Sequence, residues 1–324
     1  MKQNCSICAY TWQFLIVVCI LLLISFAWNV VIPAFFTGNT DALRKKYNKS
    51  GKAWAIVTGT TSGIGSAFVS ILARLGFNVL MVARNESKLK EMKASCSVLK
   101  NVKVDYIVID LAKTGDLVSS ELTQFLASHE VSILVNNAGM NTDYPKLFID
   151  NSLTEVESII DVNARALTVL THTVLPSMVH RQNGLIINIS SLFGQLSGPL
   201  VSVYSGTKNY IDGFSLSLSE EMRGTGVSVF CSLPGFVVSN MSKIKRTSFT
   251  VISPETCVTK ILQQAAGGRL TIAAPHWTHA AIGWIFSVLV PQFIRLRILG
   301  HINRGTNKAA LKKAERERLG KSCK

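Results

Sequence analysis

Ser191, Tyr204 and Lys208 stand in the stretch SSLFGQLSGPLVSVYSGTKNYIDGF, residues 190–214, at spacings that permit chemistry. Tyrosine and lysine four residues apart share one face of a helix. A phenol, with an ordinary pKa of about 10, is a poor acid–base catalyst near pH 7. A neighbouring ammonium favours the phenolate and draws that pKa toward the working range. The lysine is also long enough to reach ribose hydroxyls and so tie a nucleotide cofactor to the catalyst. Ser191 follows the apolar run LIINIS, where its hydroxyl can hold a carbonyl oxygen undergoing reduction. YxxxK alone occurs in many helices. A strand-end serine thirteen residues upstream, inside a nucleotide-binding sheet, makes the combination specific.

Such a sheet is expected from the order of elements. AWAIVTG, NVLMVAR, VKVDYIVIDL, SILVNNAG, GLIINISS and VSVFCSLPG are near-continuous apolar runs separated by helix-length segments. That alternation specifies a parallel sheet covered on both faces, an α/β fold of the doubly wound Rossmann type in a single domain. Ligands of such sheets bind beyond the carboxyl ends of the strands. TGTTSGIG (58–65) follows the first strand and opens a helix. Gly59 permits the tight turn, Gly63 lets backbone approach a pyrophosphate, and Gly65 allows close helix–strand packing. Thr61, Ser62 and Ile64 complete this expected cofactor-binding turn. At the end of the second strand an acidic residue would bond the ribose of NAD and repel a 2′-phosphate. Ala83 and Arg84 stand there instead, so NADP(H) is the expected cofactor, against the plainer reading of Arg84 as a solvated helix-start residue. Asp110 and Leu111 close the third strand, with Asp110 placed to meet the adenine edge.

These motifs together resemble the classical short-chain dehydrogenases/reductases, over essentially all of 53–276: TGTTSGIG, NNAG (136–139), the asparagine of DVNARAL, Ser191, YSGTK (204–208) and PG (234–235). The resemblance implies that Tyr204 donates the proton, Lys208 lowers its pKa and grips the ribose, and Ser191 orients the carbonyl. It implies that Asn163 holds a relay water, that Asn137 and Gly139 line the nicotinamide side, and that Pro234 and Gly235 also border the cofactor. Substrate would meet Ser191 and Tyr204. Ser239 replaces the threonine of the family's PGxVxT, keeping a hydroxyl. More narrowly, ILVNNAGMNTDYPKLFID (133–150), LPSMVHRQNGLIINISS (175–191), SPETCV (253–258) and the hydrophobic N-terminus resemble a membrane-bound branch. That branch contains very-long-chain 3-oxoacyl-CoA reductases and 17β-hydroxysteroid dehydrogenases of types 12 and 3. It implies a lipophilic substrate, acyl-CoA or steroid, contact with membrane lipid, and either a homodimer or partners in an elongation complex. The expected enzyme is an NADPH-dependent reductase of long-chain 3-oxoacyl-CoA. A steroid dehydrogenase is the alternative within the class, and a non-catalytic membrane scaffold the alternative outside it. A scaffold is disfavoured because all four polar catalytic positions are kept.

The rest of the chain bears on where this enzyme would work. Its 324 residues carry a formal charge of +15, unevenly spread. Residues 1–52 hold six Lys/Arg and one Asp, and residues 295–324 hold ten Lys/Arg and two Glu; between them the balance is near neutral. Basic ends on a neutral body argue against nucleic acid and for anionic lipid. Trp12 to Phe36 is uncharged and long enough to cross a hydrocarbon core. A cleaved signal peptide is the rival reading, but its apolar centre is normally shorter and no small-x-small site follows. Lys2 alone precedes the run, whereas Arg44, Lys45, Lys46, Lys49 and Lys52 follow it, which places the body in the cytoplasm. The endoplasmic reticulum membrane is the expected site, resting on the anchor alone, since GKSCK lacks the second lysine of a retrieval signal. The sequons at Asn4, Asn48, Asn85, Asn188 and Asn240 are expected to be chance occurrences.

The expected organisation is thus a short flank (1–11), a transmembrane anchor (12–36), a basic juxtamembrane linker (37–52), the catalytic domain (53–276), an apolar membrane-associated segment (277–299) and a basic tail (300–324). The uncharged stretch 277–294, broken by Pro291, is readable as a span, an interfacial segment or a cover for an apolar mouth, with the interface preferred over a span. Residues 236–254 are the expected substrate lid. Lys243, Lys245 and Arg246 in it read equally as partners for CoA phosphates or as a solvated loop face. Seven scattered cysteines form no disulfide framework, and the lone Cys5-x-x-Cys8 has neither a second pair nor a βαβ setting, so no metal is expected.

Overall fold

The computed structural model describes residues 2–35, 37–96, 99, 101–113, 117–268 and 270–322, with side chains from Tyr10 to Arg316. Phe36 at the end of the expected anchor, Met1, Cys323 and Lys324 lie outside the described residues, as do the side chains of Cys5 and Cys8. Six strands form where the apolar runs predict them: β1 (Trp54–Thr58), β2 (Asn78–Ala83), β3 (Val104–Val108), β4 (Val131–Asn136), β5 (Gly184–Ile189) and β6 (Val227–Ser232). Two-residue strands β7 (Phe236–Val237), β8 (Val251–Ile252) and β9 (Ile272–Ala273) follow. The main sheet has seven strands in the order β3-β2-β1-β4-β5-β6-β9, all parallel. β7 and β8 pair separately.

The order reverses between β1 and β4, and this switch point opens the crevice in which the site lies. β1 shows why the layers form. Ala55 and Val57 pack on one face with Phe68 and Leu72 of the helix Gly63–Arg74. Trp54 and Ile56 pack on the other with Leu122, Val174 and Met178. Side chains alternate faces along a strand, so a run that is apolar at every position must be covered twice. β1, β4 and β5 are buried throughout.

The ends of the chain depart from the simple anchor–linker–tail division. An apolar helical stretch, Tyr10–Phe35, is 26 residues long and, by length and composition, sufficient to cross a membrane. A π turn at Ala27–Val31 interrupts it. Residues 37–52 hold a helix, Thr40–Tyr47, capped by Asn39 Oδ1 on the Asp41 N–H at 3.0 Å. It buries Leu43 and Tyr47 in the main core, and the Tyr47 hydroxyl bonds Ser228 Oγ at 3.1 Å. A segment read from its charges as a linker is therefore part of the domain, because two apolar residues four apart outweigh the solvated lysines around them. At the other end, the apolar helix Trp277–Leu289 is shorter than the roughly 20 residues that a hydrocarbon core requires. Its first half is docked on the domain, with Thr278, His279, Ala280 and Gly283 buried. After Pro291 the chain runs into the helix Gln292–Ser322.

Candidate active site

The cofactor turn is built by backbone and glycine. Gly59 and Gly63 have φ of +67° and +57°, the left-handed region that costs glycine least. A Cβ on Gly65 would lie 2.1 Å from Gly59 O, and one on Gly59 would lie 2.8 Å from Ala138 Cα. Neither position accepts a side chain. Ser62 precedes the helix Gly63–Arg74 in extended conformation without a side-chain cap, leaving the first N–H groups of that helix directed at the crevice. A dinucleotide's pyrophosphate fits this donor set and this clearance. Asn137 supports the turn: its amide donates to Thr58 O (2.9 Å) and Gly59 O (3.2 Å). Thr58 Oγ1 accepts the N–H groups of Asn137 and Ala138 at 3.0 and 2.9 Å. The side chain of Asn137 therefore braces the phosphate turn instead of reaching along the nicotinamide side.

Arg84 is exposed directly after β2. Asp110 follows β3 and takes the Ala112 N–H on Oδ1 at 3.2 Å, with Leu111 buried beside it. Thr61 and Ile64 are half-buried at the turn and Ser62 is exposed.

The three catalytic candidates converge from two elements. Ser191 follows β5 by two residues and caps the short helix Leu192–Leu196, accepting the Phe193 N–H at 3.2 Å. Tyr204 and Lys208 lie one turn apart on the helix Ser202–Glu221 and are buried. The Ser191 hydroxyl lies close enough to the Tyr204 phenol to favour its ionised form. The Lys208 ammonium sits 5.6 Å from the Tyr204 ring centre and donates to Ile189 O at 2.8 Å. Gly139 faces the same point: a Cβ there would meet Lys208 Nζ at 3.5 Å and Asn163 Oδ1 at 3.6 Å.

Electrostatics refine the expectation for Tyr204. Burial raises its pKa above the ordinary phenol value, and the Ser191 hydroxyl offsets this in part. The phenol is thus neutral near pH 7, the form a proton donor requires. Burial lowers Lys208 to about 8, opposed by the negative charge of Asp212. Lys208 is still largely cationic at neutral pH and stands ready to stabilise the phenolate once the proton has left.

Asn163 lies in a π turn, Asp161–Arg165, a distortion of the helical ladder common at functional sites. Its Oδ1 accepts the Met140 N–H at 2.7 Å, and its Nδ2 donates to Met140 O at 2.9 Å and Thr207 Oγ1 at 3.0 Å. Both amide protons are thus engaged, while Oδ1 accepts one bond and keeps a second lone pair.

Two residues absent from the sequence expectation belong to this site. Asp212 continues the Tyr204–Lys208 stripe by one more turn; it is buried, lies beside Gly194 and receives the Cys231 thiol at 3.7 Å. Burial raises its carboxyl to about 6. The recurrence at 204, 208 and 212 was the available signal. His279, from the C-terminal apolar helix, accepts the Gly235 N–H on Nδ1 at 3.1 Å. In the lid, Lys243 donates to the carbonyl of Asp143, whereas Lys245 and Arg246 are exposed.

A glycine-built phosphate turn at the switch point of a parallel sheet, facing a Ser–Tyr–Lys cluster, accords with the outcome of sequence comparison. Residues 53–248 match the short chain dehydrogenase family. The chain belongs to that family. It is an oxidoreductase on a Rossmann-type sheet. Among relatives, a protein of Laccaria bicolor named very-long-chain 3-oxoacyl-CoA reductase is 34% identical over 296 residues, covering 89% of this chain and 87% of the relative. The human protein of the same name is 36% identical over 265 residues, covering 81% of this chain and 83% of its own. Among solved structures, a 7β-hydroxysteroid dehydrogenase shares the fold at a TM-score of 0.71 and 21% identity, over 79% of this chain and 98% of its own. A Sphingobium yanoikuyae short-chain dehydrogenase in complex with NADPH superposes at a TM-score of 0.61 and 27% identity, over 69% of this chain and 87% of its own.

Proposed function

We propose that the chain is a membrane-anchored, NADPH-dependent carbonyl reductase that converts long-chain 3-oxoacyl-CoA to 3-hydroxyacyl-CoA, the reductive step of fatty-acid elongation. The observation that carries the chemistry is the Ser191–Tyr204–Lys208 cluster: two hydroxyls that converge beside a buried ammonium. The glycine turn and Arg84 would hold NADPH, which when bound would supply the hydride that the carbonyl carbon receives. Ser191 and Tyr204 hold the carbonyl oxygen, whose negative charge grows as the C=O electron pair withdraws onto it. Tyr204 passes its proton to that oxygen, and Lys208 stabilises the resulting phenolate. Lys208 would also reach the ribose hydroxyls of the bound cofactor. Cofactor and donor are thereby registered to one side chain.

The substrate class is supported by relatives named very-long-chain 3-oxoacyl-CoA reductase that align over most of the chain. An apolar rim agrees with it: Phe249 meets Trp277 edge to face at 5.3 Å, both exposed, with Met241 and Phe236 exposed nearby in sequence. Tyr10–Phe35 would anchor the enzyme in the endoplasmic reticulum membrane, with the basic residues after it holding the domain on the cytoplasmic side. Lys245 and Arg246 are the lid cations available for CoA phosphates, Lys243 being engaged with Asp143. Parallel turnover of a long-chain 3-oxoacyl-CoA and of estrone, with purified protein and NADPH, tests the reading. Preference for the thioester is expected; preference for estrone would move the assignment to a 17β-hydroxysteroid dehydrogenase, and turnover of neither would remove the carbonyl-reductase reading.

A further inference from the structure

The uncharged segment 277–294 reads in sequence as material for a membrane. One polar group in it does not fit that reading. His279 is 1% exposed, and both of its ring nitrogens are occupied by the catalytic domain. Nδ1 faces the Gly235 N–H at 3.1 Å, and Nε2 faces the Thr250 carbonyl at 3.1 Å. An N–H on one side and a carbonyl on the other define the tautomer: Nδ1 accepts and Nε2 carries the proton. The imidazole satisfies both partners only while neutral. Burial and His276 on its own helix both lower its pKa, with the Thr250 and Phe236 backbones opposing. His276 has Lys260 as a charged neighbour.

The position of the ring matters more than its burial. A Cβ on Gly235 would lie 2.8 Å from His279 Cδ2, so the turn is closed against the imidazole face. On its other side, Pro234 O accepts the Leu192 N–H at 3.0 Å, directly after Ser191. Thr250 precedes β8, which pairs with β7 directly after Gly235. One ring therefore joins the strand-end turn beside the catalytic serine to the root of the lid. The helix that carries it is held in turn by the N-terminal apolar helix: Trp284 Nε1 donates to Ser25 Oγ at 3.0 Å, and Phe26 packs edge to face on Trp284 at 5.1 Å.

We propose that His279 is a positioning residue for the cofactor site, holding the Pro234–Gly235 turn against bound NADPH from a helix that rests on the apolar N-terminal helix. This rests on the NADPH reading above, so cofactor binding is measured directly. The full-length chain in lipid nanodiscs is titrated with NADPH by fluorescence, alongside steady-state turnover, for wild type and for His279→Phe, His279→Asn and His279→Gln. Phenylalanine keeps the ring and loses both bonds. Asparagine can restore the acceptor at the Nδ1 position, and glutamine the donor at the Nε2 position. His279→Phe is expected to raise the NADPH dissociation constant and KM about tenfold, since the half-buried Gly235 N–H loses its acceptor, while kcat changes little. His279→Asn is expected to recover most of that loss and His279→Gln little of it. Wild-type affinity in His279→Phe, or equal affinity in the asparagine and glutamine variants, would overturn the proposal. If His279→Phe does not fold, the asparagine–glutamine contrast decides alone. A wild-type chain that binds no NADPH would fail the cofactor reading itself, and the inference with it.

Discussion

Between Ser190 and Asp212 the site is held by short-range rules: a strand end, a cap, and one helical face that repeats every four residues. Between His276 and Asn307 the chain reaches the same site through contacts remote in sequence, 44 residues from His279 to Gly235 and 104 and 162 residues from Asn303 and Asn307 to their partners. Asn303 Nδ2 donates to Pro199 O and Asn307 Nδ2 to Pro145 O, each at 2.7 Å. The two loops they touch are stitched together by the Lys146 N–H on Leu200 O at 3.0 Å. The loop between Ser191 and Tyr204 carries Ser197 at φ +61° and Leu200 at φ +68°, conformations that cost non-glycine residues energy and persist only where the surroundings enforce them. The local half supplies reacting groups, and the remote half supplies the shape of the opening. Polar groups that do chemistry must meet at fixed spacing. Groups that shape a rim need only one bond each, to whatever backbone carbonyl lies beneath.

The contrast can be broken by substitution, and the largest effect belongs to the local half. Tyr204→Phe should lower turnover by about a thousandfold, within the range for loss of a general acid, and leave NADPH binding nearly intact by titration. Unchanged turnover would dismiss the cluster as the catalyst. Gly65→Ala should cost about 1–3 kcal/mol of stability through forced overpacking, and should weaken NADPH strongly, because its methyl meets Gly59 O. Chemical denaturation and titration read the two effects separately. Arg84→Asp should shift the ratio of kcat/KM for NADPH over NADH by about tenfold toward NADH, as a charge reversal beside a phosphate implies; an unmoved ratio would refute the cofactor preference. In the remote half, Asn303→Ala and Asn307→Ala should raise the KM for substrate a few fold without moving the NADPH dissociation constant. A change in cofactor affinity instead would place that helix on the wrong side of the site.

The smallest effect is a pH limb. Reduction needs Tyr204 protonated and Lys208 cationic. Lys208 loses its proton at about 8, so kcat/KM for reduction should fall as pH rises through that value. Asp212 favours the cationic form of Lys208. Asp212→Asn should therefore move the limb to lower pH, and a limb left in place would detach Asp212 from the site.

Six strands, the glycine turn and the Ser–Tyr–Lys stripe were legible because each depends on residues near one another in the chain. The segment 37–52 was not: its charges are conspicuous, while the burial of Leu43 and Tyr47 depends on a helix 200 residues away, Pro254–Gly267, that shares their core. The phenol of Tyr204 illustrates the same limit in electrostatics. Spacing predicts a downward pull from Lys208, but the depth of burial, which spacing cannot report, raises the pKa instead.

The sequence by itself determined the parallel sheet, through apolar runs too continuous to leave a face in water, and the identity and order of the reacting groups, through periodicity and turn chemistry. Only the tertiary structure decided what each polar group spends its hydrogen bonds on. Asn137 goes to the phosphate turn, Asn163 to Met140, Lys243 to Asp143, and His279 to the Gly235 turn. Composition cannot settle such assignments. A donor or acceptor is claimed by whichever partner the packing brings within about 3 Å, and in these four cases that partner is 23 to 100 residues away.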